Sequence, residues 1–122
     1  MSYLAYKLLH VLGALLVLAA AGGVALHAAN GGRREDNDLR GVLASMHGIG
    51  LVLSVVAGFG LLAKLGAGAM PPPWAWAKLV IWLFFGAALT LPYRSTSLAR
   101  ALVIALPLLA AIASYLAMYK PF

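Results

Sequence analysis

From Leu8 to Gly32 the chain contains no Asp, Glu, Lys or Arg. An apolar run of that length can cross the ~30 Å hydrocarbon core of a bilayer as one helix. A soluble protein could bury such a helix only at the centre of a large core, and 122 residues do not supply one. The run is too long for the apolar part of a secretory signal. It ends in Asn30-Gly31-Gly32-Arg33-Arg34 rather than at a clean cleavage site, so it is read as part of the mature protein. His10 lies inside one end of this span and His27 at the other. Ionisable groups within spans are rare and costly, which makes each a candidate for function.

Three further apolar runs follow. Gly41 to Ala63 is uncharged and is closed by Lys64. Gly66, Gly68 and Pro71-Pro72-Pro73 mark a loop, since three prolines cannot continue a helix but can precede one. The third run begins at Trp74 and ends near Pro92-Tyr93-Arg94, with Lys78 in its first turns. The fourth, Ala101 to Tyr119, contains Pro107, which is expected to bend it, and stops at Lys120-Pro121. The expected fold is all-α, an integral membrane four-helix bundle with short loops. It forms a single domain over 1–122, with spans about 3–29, 41–64, 74–92 and 98–119 and antiparallel neighbours.

The remaining composition narrows the function classes. The chain is 64% hydrophobic and 10% charged, a membrane composition that places the lipid bilayer first among its partners. It has no cysteine, which excludes disulfides, thiolate chemistry and Cys-ligated metal. The net charge of +6 comes from basic residues at span ends, where topology and lipid headgroups explain them, so no nucleic-acid partner is expected. Glu35, Asp36 and Asp38 are the only acids, and all lie in the Asn30–Arg40 loop. No span carries a carboxylate, which disfavours a proton-coupled carrier. The amino terminus, the 64–73 loop and the carboxyl terminus share one membrane face (face one), and the loops at 30–40 and 94–100 share the other (face two). All five arginines then fall on face two and all four lysines on face one, a margin that leans towards face two as cytoplasmic.

The histidines are the candidates for chemistry. Tyr6, His10, Gly13, Val17, Ala20, Val24 and His27 form one stripe down the first helix. His10 and His27 are ~25 Å apart along that axis and cannot share one iron. His47 heads a small-residue line, Gly50, Ser54 and Gly58, whose spacing calls for close packing against a neighbour. His27 and His47 enter from face two; His10 and Lys78 lie at similar depth from face one. Neutral imidazole is a good axial ligand, and haem sits readily between the helices of a bundle. The expected cofactor is therefore haem b. One iron would be held by His47, with His27 as the second ligand, and His10 with Lys78 would form a second site. No Asp or Glu lies in a span, so His10 and His47 must find a hydroxyl, a backbone carbonyl, water or iron.

The segment Tyr6-Lys7-Leu8-Leu9-His10-Val11-Leu12-Gly13 resembles the opening helix of small bacterial membrane proteins of the SirB-like and HemJ/CopD-like families. Trp74-Ala75-Trp76-Ala77-Lys78-Leu79, followed by Gly86, is similar to their third helix, and Ser114-Tyr115 to Lys120-Pro121 resembles SirB-like tails. HemJ-like proteins are membrane protoporphyrinogen oxidases that bind haem b. The resemblance implies that their important histidine and lysine fall on His10 and Lys78, and that an early helix-two histidine of SirB-like proteins falls on His47. It also implies a bacterial inner membrane location. No catalytic acid, nucleophile or metal cage stands out, and no enzymatic activity is assigned. The expected role is electron transfer or haem handling. The alternatives are a small transporter and a cofactor-free structural or accessory subunit that packs on itself, as a homo-oligomer, or on a larger membrane complex.

Overall fold

The computed structural model describes residues 1–66, 68 and 70–122, and among them the regular structure is entirely helical. Four α-helices follow in order: α1 (Tyr3–Ala29), α2 (Arg40–Lys64), α3 (Pro73–Ala87) and α4 (Thr96–Tyr119). Their starts follow local chemistry. The Ser2 hydroxyl accepts the Ala5 N–H at 3.1 Å, and the Ser95 hydroxyl accepts the Leu98 N–H at 3.0 Å, each covering a donor that the first turn cannot satisfy. Pro73 opens α3 where its missing N–H costs nothing.

α1, α2 and α4 are long and apolar enough to cross a membrane, with mean hydropathies of 2.2, 1.9 and 2.3. α3 is the exception, at 15 residues. Its apolar sequence continues to Leu91, but the helix ends at Ala87 rather than near residue 92. The cause is Pro92, which cannot donate to the carbonyl four residues back and disfavours α geometry in the residue before it. The chain tightens instead through Ala88 N–H to Phe85 C=O at 3.1 Å and Thr90 N–H to Ala87 C=O at 3.2 Å, then enters a short 3-10 turn over Leu91–Arg94. α4 starts at Thr96, two residues before the expected start, and runs unbroken through Pro107.

Glycine contacts give the register of α1 on α2. A Cβ on Gly60 would strike the Tyr6 ring, one on Gly58 would meet His10, one on Gly50 would meet Val17, and one on Gly23 would meet Leu43. Position falls along α1 as it rises along α2, so the two helices are antiparallel. Hydrogen bonds do the same for α2 and α3, joining His47 to Phe85 and Trp82 to Leu51. α1 packs most extensively on α2 and next on α4, while α3 leans on α4 more than on α2.

The expected stripe is the buried face of α1: Gly13, Val17, Ala20 and Val24 are all buried. Val17, Ala21 and Ala25 meet Phe85, Ala88, Leu102 and Leu106 in the core. Large apolar side chains such as Leu8, Leu15, Val52, Val56, Val80 and Ile104 point outwards and are exposed. An exposed apolar surface of this extent suits lipid rather than water.

Candidate functional site

α2 receives polar side chains from α1 and α3. Its Gly50 and Gly13 of α1 let the two backbones approach until a Cβ on Gly13 would lie 2.6 Å from the Ser54 nitrogen. This approach brings His10 onto α2, where its Nδ1 lies 2.7 Å from the Ser54 carbonyl oxygen. A carbonyl only accepts, so Nδ1 carries the proton and Nε2 of the neutral ring keeps its lone pair. One turn along, the Leu51 carbonyl receives the Ser54 hydroxyl at 3.0 Å and the Trp82 indole N–H of α3 at 3.1 Å. The small-residue line is thus consumed inside the bundle. Gly50 and Gly58 face Val17 and His10 of α1.

His10 looks onto a cavity of about 1050 Å³ that opens among all four helices on face one. Most of its wall is apolar and includes Trp74, Trp82, Phe85 and Pro107, of which Phe85 is buried. Lys7, Lys78 and Lys120 also line it, and no acidic residue does. Lys120 is held at the rim, its Nζ bonded to the Ala117 carbonyl and lying 5.3 Å from the centre of the Trp74 ring. Lys78, half-buried on α3, has no hydrogen bond or ion pair among the described residues. Sequence reasoning placed His10 and Lys78 at similar depth, and the structure puts both on this wall.

The other two histidines are engaged elsewhere. His47 is buried at 4% exposure and donates from Nε2 to the Phe85 carbonyl at 2.7 Å. Phe85 belongs to the last turn of α3, where its carbonyl takes only the tighter Ala88 N–H bond, so His47 adds a second donor at the end of a neighbouring helix. His27 has its Nδ1 2.8 Å from the Tyr93 hydroxyl, which also accepts from Asn37 Nδ2 at 3.3 Å. Its ring lies over Gly32, where any Cβ would collide with it. His27 and His47, expected to share one iron, thus each have a ring nitrogen engaged by a different protein partner, and neither lines the cavity. Sequence reasoning placed Tyr93 at the end of the third span and gave it no part in a polar cluster. The signal available was Pro92, which ends α3 early and carries the next residue back over His27. Replacing Tyr93 with phenylalanine should cost about 1–3 kcal/mol in detergent unfolding, because two polar partners lose one hydroxyl. An unchanged melting profile would deny the cluster a structural role.

Among the described residues no three His, Asp or Glu gather as a metal cage. No family model matches the chain, and neither a curated protein nor a solved structure matches it.

Proposed function

We propose that this protein is a small integral membrane protein of the bacterial inner membrane, similar to SirB-like and HemJ/CopD-like proteins. In this reading it binds b-type haem in the face-one cavity for electron transfer or haem handling. The observation that carries the reading is the state of His10. Its Nδ1–H is fixed on the Ser54 carbonyl, and Nε2 has no partner among the described residues. Histidines that ligate metals almost always donate their other ring N–H in this way, which sets both tautomer and ring orientation. The donor set therefore fits an imidazole that would hold the iron of a haem. A cavity of about 1050 Å³ is at the upper end of the size of small-molecule sites, ~300–1,000 Å³, and its apolar wall suits a flat porphyrin. Lys78 has no carboxylate partner among the described residues and would pair with an acidic substituent of the porphyrin. When bound, the iron would supply one-electron chemistry. The chain's own part is to present Nε2, to neutralise the acid at face one and to surround the ring with Trp82, Phe85 and Pro107.

The test is an absorption spectrum of protein purified from haem-replete cells. A Soret band that sharpens on reduction is expected, and His10→Ala should abolish or shift it, while His27→Ala and His47→Ala should keep it. A colourless preparation, or an unchanged reduced spectrum in His10→Ala, would overturn the assignment.

A further inference from the structure

A second cavity, of about 260 Å³, lies at face two, away from His10. Val24 and Leu89 are on its apolar wall, and Asn37, Tyr93, Arg34 and Arg40 supply its polar side. No Asp or Glu lines it, although all three acids of the chain lie in the adjoining loop. The charges are distributed selectively. Arg33 takes Glu35 at 3.5 Å, whereas Arg34 has no carboxylate within ion-pair distance among the described residues. Arg40 is steadied from Nη1 by the Glu35 backbone carbonyl at 3.0 Å, a neutral partner that leaves its charge unmet. The polar wall is itself built in: Asn37 is 8% exposed, gives Nδ2 to Tyr93 and accepts the Leu39 N–H on Oδ1 at 3.1 Å.

From this arrangement we infer that the face-two cavity binds the phosphate group of an anionic ligand. Arg34 and Arg40, both exposed, line a small recess, where guanidinium N–H groups are strong donors to phosphate oxygens and Arg40 offers those that the Glu35 carbonyl does not hold. The cavity lies where apolar helices meet the membrane surface, and basic pockets between such helices take the headgroups of anionic lipids. A lipid phosphodiester and free phosphate share this chemistry.

The experiment separates the two sources. Protein is reconstituted in phosphatidylcholine vesicles doped with phosphatidylglycerol, released, and scored for retained phosphatidylglycerol by native mass spectrometry. Wild type should retain it. Arg34→Gln/Arg40→Gln should reduce retention on the order of tenfold or more, the usual weight of charge-assisted bonds. Arg94→Gln/Arg100→Gln removes the same charge from the same face and should not. Gly41→Leu, which fills the cavity wall at a position with open space and leaves both arginines, should act like the first pair and carries the test if that pair does not fold. In a parallel arm, inorganic phosphate is added in neutral detergent. Stabilisation of wild type but not of the cavity variants, without lipid retention, would assign the site to free phosphate. Equal loss in both arginine pairs, or binding of neither probe by wild type, would overturn the inference.

Discussion

Replacing Gly13 with leucine should force α1 and α2 apart. A Cβ at this position would lie 2.6 Å from the Ser54 nitrogen and 2.8 Å from the Gly50 oxygen, both backbone atoms that cannot rotate aside. The helices must move, and inserting bulk into a packed interface typically costs about 1–3 kcal/mol. The movement would also stretch the His10 bond to the Ser54 carbonyl, so the expected loss is at the upper end of that range or beyond. Denaturation in detergent measures it. Gly22→Leu is the control, since a Cβ there meets nothing within 4 Å and points outwards. Equal behaviour of the two variants would mean that the register of α1 on α2 is wrong.

His47→Leu should cost about 1–3 kcal/mol, through a different mechanism. The residue is buried and its Nε2–H meets the Phe85 carbonyl near the end of α3. Leucine fills similar space but leaves that carbonyl with only the Ala88 N–H, in a turn already tightened by Pro92. Hydrogen exchange over residues 84–94 should therefore rise in step with the loss of stability. His47→Gln, whose amide can donate, should recover part of it. If haem is bound as proposed, its reduced spectrum should persist in His47→Leu and not in His10→Ala, which separates the helix-closing histidine from the one on the cavity wall. Loss of the spectrum in His47→Leu with α3 intact would return His47 to the list of iron ligands.

Helix number and the α1 and α2 boundaries were legible because uncharged runs ending in Asn-Gly-Gly-Arg-Arg or Lys64 leave a bilayer-spanning chain few choices. The packed face of α2 was legible too, since Gly50, Ser54 and Gly58 recur every four residues and only small residues let backbones approach. The pairing of side chains was harder to read. His27 and His47 enter from the same face, and helix rise alone left them free to meet. What separated them was lateral: His47 faces α3, whereas His27 faces the 3-10 turn carrying Tyr93. Residue spacing within a helix fixes height and azimuth but not which neighbour stands opposite. For the same reason the Phe85 and Ser54 carbonyls could be named only as a class of partner.

The shortness of α3 also acts outside the protein. Its 15 residues rise ~22 Å, roughly 8 Å less than the hydrocarbon slab that α1, α2 and α4 can cross. The irregular backbone after Ala87 cannot make up this difference facing acyl chains, and Tyr93, Asn37 and His27 tie it to the protein instead. The remaining mismatch is left to the lipid, at fractions of a kcal/mol per ångström. A membrane around this molecule would therefore be thinnest along the α3 flank. Shorter acyl chains would match the α3 flank better than long ones.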